Sequence, residues 1–198
     1  MTSRETILAA VRASQPAPSP PLPDVPLFER TSGPLWEQFK EALVRMGGKL
    51  ADAGSGDDLD ALVRALFPQA GVICSATSEV SGTRALDRNL DPADLADVDV
   101  GVVRAAFGVA ETGSVWLSEA ELQIEALAYL AQHLVVLLDP DEIVSNLHRA
   151  YQDRRFNTAR YAVLMTGPSA TADIEGVLIH GAQGVRSLTI VPVAPRHA

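Results

Sequence analysis

Apolar residues follow two rhythms along this chain. In some stretches they form short, almost continuous runs; in others they recur every three or four positions. The runs at 72–75, 97–103, 114–118, 134–138, 161–166 and 186–193 read as strands, with 49–53 a further short one. The spaced stretches read as amphipathic helices. Residues 3–14 carry Ile7, Leu8 and Val11 on one face behind a Thr2/Glu5 capping-box spacing. A second helix begins at Pro34, repeats Trp36, Phe39, Leu43 and Met46, and ends at Gly47-Gly48. Another runs from Asp57 or Asp58 to about Phe67, where Pro68 stops it, and 120–132 is also helical. A further helix is expected from Asp139-Pro140, with Ile143, Val144, Leu147 and Tyr151 facing inward. Residues 77–94 mix helix and loop, and 104–110 form a connection.

Strands alternating with helices, with the strands apolar throughout, imply an α/β domain: a mainly parallel sheet flanked by helices on both faces. The start of the chain stands apart. Six prolines between Pro16 and Pro26 remove amide donors and favour extended geometry. The expected organisation is therefore a helical and Pro-rich arm at 1–30 and one domain at 31–198. The arm's helix suits packing on a neighbouring subunit, in a homo-oligomer, as well as on its own domain.

Composition narrows the function. Of 198 residues, 47% are hydrophobic, which supports a sizeable core, and the net charge of −9 argues against nucleic acid. A small anionic ligand in a local basic pocket remains compatible. No apolar stretch approaches the roughly 20 residues that span a bilayer, and no signal peptide opens the chain, so the expected location is cytoplasmic. The single cysteine, Cys74, lies in an apolar run and reads as a buried structural thiol; one thiol does not make the four-ligand set of an iron–sulfur cluster. The histidines, His133, His148, His180 and His197, lack metal-ligand spacing, and no metal is expected.

Most of the candidate chemistry sits at two turns. Residues 161–166 lead into Gly167-Pro168-Ser169, a tight turn, and a helix is expected to start at Ala170 with Ser169 as its N-cap. Helix N-termini at strand ends bind anions. Against that, Asp173 would oppose an anion, and capping alone explains the residues. Glu111 precedes Thr112-Gly113 between two apolar segments. If shielded from water, its carboxyl would serve as acid, base or nucleophile. The plainer alternative is that it bonds backbone amides or pairs with Arg104.

The run from Gly167 to Glu175, followed by Gly181-Ala182-Gln183-Gly184, resembles the C-terminal signature of the lactate-utilisation protein C family, which is built on the LUD domain. Ala110-Glu111-Thr112-Gly113-Ser114, after a Val/Gly-rich strand, resembles its second signature. The resemblance implies the fold of sugar-phosphate isomerases and CoA transferases (NagB/RpiA-like). It also implies a non-redox subunit that works with iron–sulfur partner proteins in oxidising L-lactate to pyruvate. No cofactor is expected in this chain, and the clusters belong to the partners. The ligand-binding candidates are Thr112, Gly113, Gly167, Ser169, Thr171, Asp173, Gln183 and Gly184. The family pattern has His followed by Gly-Pro where this chain has Gln183, Gly184 and Val185.

Two alternatives stand beside this one. Glu111-Thr112-Gly113 is similar to the Glu-Asn-Gly around the nucleophilic glutamate of CoA transferases. A stand-alone enzyme would use Glu111 on a CoA thioester, sugar phosphate or small carboxylate, with Arg84, Arg104 or Arg186 helping the turn amides after Gly167 hold the anion. The third alternative is an assembly module, with the Pro-rich arm exchanged onto a partner.

Overall fold

The computed structural model describes residues 2–15, 21–26, 33–52 and 58–195. In chain order these form α1 (Ser3–Ala13), α2 (Leu35–Arg45), β1 (Lys49–Leu50), α3 (Leu59–Leu66) and β2 (Ile73–Ser75), then a 3-10 turn at Pro92–Leu95. Next come β3 (Val100–Arg104), β4 (Phe107–Val109), β5 (Ser114–Ser118), α4 (Glu119–Leu122), α5 (Leu127–Leu130), β6 (His133–Leu138) and β7 (Ile143–Val144). The chain continues through α6 (Leu147–Tyr151), α7 (Arg154–Thr158), β8 (Ala162–Met165), β9 (Ala170–Thr171) and β10 (Ile179–His180) to β11 (Ser187–Pro192).

The central sheet has the order β1-β11-β6-β3-β2, and every pairing in it is parallel. The middle strand, β6, shows why a continuous apolar run is needed. Leu134, Val136 and Leu138 point to one face, into a core with Phe39 and Leu43 of α2, Leu127 of α5 and Val115 and Leu117 of β5. Val135 and Leu137 point to the other face, against Val63 of α3 with Leu59, Leu62 and Phe67 beside it. Helices thus cover both faces, as the alternation of elements implies. A second sheet, β7-β4-β5-β8, packs over the first face and is antiparallel except for the β4–β7 pair. Its outer side carries Phe107, Val109 and Trp116 against Leu147, Ala150 and Phe156 from α6 and α7. Cys74 is fully buried in β2.

Several expected elements differ. No helix follows Ser169: residues 170–180 form the antiparallel β9–β10 hairpin, with Ala170 opposite His180. Gly176 and the unusual positive φ of Glu175 turn its tip, and Thr171, Val177 and Ile179 are β-branched, which suits strands better than helix. The helix expected from Asp139 starts later. Asp139 caps only a turn, accepting from the Asp141 amide at 3.0 Å; Ile143–Val144 pairs with β4, and Asn146 is the true N-cap of α6. The helix at 120–132 breaks into α4 and α5 because Gln123 takes φ +59. The connection at 104–110 contains a strand, β4.

The Thr2/Glu5 capping box is present on α1, and no residue of that helix is buried. Residues 16–20 and 27–32 of the Pro-rich stretch lie outside the described residues, as does Asp57; Asp58 caps α3. Beyond β11, Arg104 donates to the Ala194 carbonyl at 2.8 Å. Among the described residues no helix is long and apolar enough to cross a membrane.

Candidate functional site

The two signature turns meet in space. Antiparallel pairing of β5 with β8 sets Val115 opposite Met165, which brings Gly113 beside Thr166. The Thr166 hydroxyl donates to the Gly113 carbonyl at 2.9 Å. Both turns press against the second half of α2. A Cβ on Gly113 would fall 2.2 Å from the Leu43 amide nitrogen, and one on Gly167 would fall 2.1 Å from the Met46 carbonyl oxygen. Both glycines have φ near +60°, so only glycine meets both demands without strain. Beyond the turn, the Ser169 hydroxyl donates to the Gln183 carbonyl at 3.1 Å, its amide donates to Val185 at 2.9 Å, and its carbonyl accepts from Gly181. The Ser169 hydroxyl therefore tethers the 181–185 loop rather than capping a helix. Gln183 contributes its backbone here, which any residue type could supply.

Four of the candidates, Gly167, Ser169, Gln183 and Gly184, line one slot of about 320 Å³, walled by Tyr129, Val163 and Met165. None of the described residues that line it is charged. It is therefore a largely apolar slot and not the anion cradle expected of a helix start. At its rim Tyr161 and Tyr129 share a short hydroxyl contact, and burial first, then that contact, push the Tyr161 phenol well above its ordinary pKa. Thr171 and Asp173 do not line the slot; the Asp173 amide donates to the Thr171 hydroxyl within the hairpin.

Glu111 is elsewhere, and it is exposed. Its carboxylate accepts from the Leu147 amide at 3.1 Å, at the start of α6. This is the backbone-bonding alternative; Arg104 pairs instead with Glu79. Glu111 borders a separate cleft of about 320 Å³ shared with Glu37, Glu41, Arg45 and Asn146. The condition of shielding from water is not met at this carboxylate. Thr112 shares a hydrogen bond with the buried Ser114 hydroxyl at 2.5 Å and steadies the turn.

Of the three arginines offered as anion holders, two are committed. Arg84 is bound to Asp97 at 2.9 Å and to the Asp94 carbonyl, and Arg104 to Glu79 and Ala194. Arg186 has no carboxylate partner among the described residues, and it lines a different cleft, with His133. That pairing of cleft and cation carries no local sequence signal, because its members come from α3, the ends of three strands and their connections. Among the described residues no group of three or more His, Cys, Asp or Glu side chains is placed to hold a metal.

The sequence model of the LUD domain matches residues 83–193, more than half of the chain. The chain belongs to the LUD domain family. The LUD match begins before β3 and ends just after β11, so it takes in both signature turns, the second sheet and most of the central one. An uncharacterized protein of Neisseria meningitidis serogroup B is 25% identical over the whole of this chain and 96% of its own length. A protein of Deinococcus radiodurans named Lactate utilization protein C is 25% identical over 95% of this chain and 92% of its own. The crystal structure of a DUF162 family protein from Deinococcus radiodurans shares the fold, with a TM-score of 0.64 and 18% identity over 81% of this chain and 96% of that one.

Proposed function

We propose that this LUD-domain chain is a non-redox subunit of a cytoplasmic L-lactate utilisation system, in which partner proteins carrying iron–sulfur clusters oxidise L-lactate to pyruvate. The observation that carries this is end-to-end similarity to Lactate utilization protein C, with little of either chain left unmatched. The chain's own chemistry agrees with a supporting role. Its single thiol is buried in β2, whereas a cluster normally takes four. Its signature turns are joined to each other and packed closely on α2. Glu111 holds the start of α6, so the alternative of a stand-alone enzyme built on that carboxylate gains no support from its position.

The test is recovery of the tagged chain from its native cells grown with and without L-lactate, followed by mass spectrometry. An iron–sulfur protein co-purifying, and enriched with lactate, is the expected outcome. Recovery of the chain alone under both conditions would sink the proposal.

A further inference from the structure

At the amino-terminal end of the central sheet a cleft of about 310 Å³ opens beside His133. The strand register puts His133 of β6 between Val100 of β3 and Ser187 of β11. Asp99, Gln132 and Arg186, the residues immediately before these three strands, therefore gather along one edge with the imidazole. Phe67, at the end of α3, stacks on His133 with ring centroids 4.8 Å apart and planes at 29°. Leu66, Pro68 and Ala70 extend that wall, so one side of the cleft is apolar and the other polar.

The charges are unevenly used. The Asp99 carboxylate is occupied by the amides of Gly71 at 2.8 Å and Val72 at 2.9 Å. The Arg186 guanidinium has no carboxylate partner among the described residues, and Lys49, on the same sheet edge, has none either. His133 Nδ1 shares a hydrogen bond with the buried Ser187 hydroxyl at 2.8 Å, which fixes the ring and leaves Nε2 for another partner. Burial, then Arg186 and Lys49, push the imidazole below its ordinary pKa, so it is predominantly neutral at pH 7. Arg186 and Asp99 both line the cleft; Asp99 already accepts from two amides, so Arg186 supplies the one planar, forked donor among the described lining residues that has no carboxylate partner.

We infer that this cleft binds a small organic monocarboxylate, with Arg186 taking the carboxylate, Phe67 and Pro68 covering the carbon body, and His133 bonding an oxygen substituent. One lining guanidinium beside the imidazole offers a forked donor to one carboxylate, and the Asp99 charge in the same lining weighs against any more highly charged anion. A phosphate dianion would call for more cations, and among the described residues Arg186 is the one Lys or Arg that lines the cleft. The inference does not depend on the lactate role, since a carboxylate site would exist in a chain with any partner.

The test is titration of the full chain, with histidine ring signals followed by NMR, using acetate, L-lactate, pyruvate and inorganic phosphate in turn. The carboxylates are expected to shift the His133 signals saturably, and phosphate is not. Arg186→Gln, at an exposed position that should not disturb folding, is expected to weaken carboxylate binding by about tenfold or more. Arg160→Gln, which removes the same charge elsewhere, should leave it unchanged. His133→Gln, which lacks the reporting ring and is titrated by calorimetry instead, should cost L-lactate more affinity than acetate. The inference is overturned if no carboxylate shifts His133, if phosphate competes equally, or if Arg186→Gln binds like the parent. Because only this chain is present, failure here leaves the co-purification result standing, and the reverse also holds.

Discussion

The Thr166 hydroxyl donates to the carbonyl of Gly113 across the β5–β8 pair at 2.9 Å, tying together two turns 53 residues apart in sequence. The same hydroxyl lies 3.4 Å from the Thr112 carbonyl. Replacing it with the isosteric Thr166→Val removes the donor while keeping the shape, and the part-buried Gly113 carbonyl loses this bond. The expected cost is about 1 kcal/mol in chemical denaturation. An unchanged midpoint would mean that the two turns do not depend on this bond.

Gly167 and Gly176 have nearly the same positive φ but different surroundings. A Cβ at Gly167 would strike the Met46 carbonyl, whereas one at Gly176 meets nothing within 4 Å. Gly176→Ala should therefore cost only the conformational term, about 1 kcal/mol. Gly167→Ala adds a clash with backbone and should cost at least about 2 kcal/mol more. Equal midpoints for the two variants would contradict the packing of the signature turn on α2.

Glu111 is exposed and serves as an acceptor for the Leu147 amide. Glu111→Gln keeps an oxygen in place and should leave any lactate-dependent activity of the assembled system intact. Glu111→Ala should lower stability by about 0.5–1 kcal/mol through the loss of a helix-start acceptor. Complete loss of activity in Glu111→Gln at normal stability would restore this carboxylate to a chemical role.

Acidification should destabilise the fold in two steps. Burial first, then Arg186 and Lys49, lower the His133 pKa, against the opposing pull of Asp99. The unfolded imidazole therefore binds protons at a higher pH than the folded one, and stability falls as pH drops below the unfolded value of about 6.5. Asp99 is held below its ordinary value by the Val72 amide first and then that of Gly71, with burial acting against them. Its contribution is present above the ordinary carboxylate value and is lost as pH falls through the lowered folded one. Denaturant midpoints across neutral to acidic pH should show both steps. His133→Gln should flatten the upper one and Asp99→Asn the lower. A parent profile flat from pH 7 downward would contradict both.

The central sheet was legible because its inner strands are buried on both faces, so 97–103 and 134–138 stand out as apolar runs without reference to partners. The β9–β10 hairpin was not. Gly-Pro-Ser followed by acidic residues imitates a helix start, and Ile174, Val177 and Leu178 even keep helical spacing, yet all three are exposed. Such spacing marks a helix only when something covers the face, and here the pairing of Ala170 with His180 decides instead. Strand β4 was hidden by its brevity and by Gly108, whose missing side chain lets Phe39 and Leu138 approach. The signature turns announced themselves, but their use did not. Their glycines answer to α2, more than 60 residues before the first of them in the case of Leu43 and Gly113 and over 100 for Met46 and Gly167. The cleft at His133 is further still from any local signal, since Phe67, Asp99, His133 and Arg186 meet only after the parallel strands align.

The most direct test of the lactate role is L-lactate oxidation by native cells from which this chain alone has been deleted. The account predicts that oxidation and growth on L-lactate fall sharply and return when the chain is re-expressed. Undiminished oxidation in the deletion strain, with partner proteins at normal levels, would contradict it.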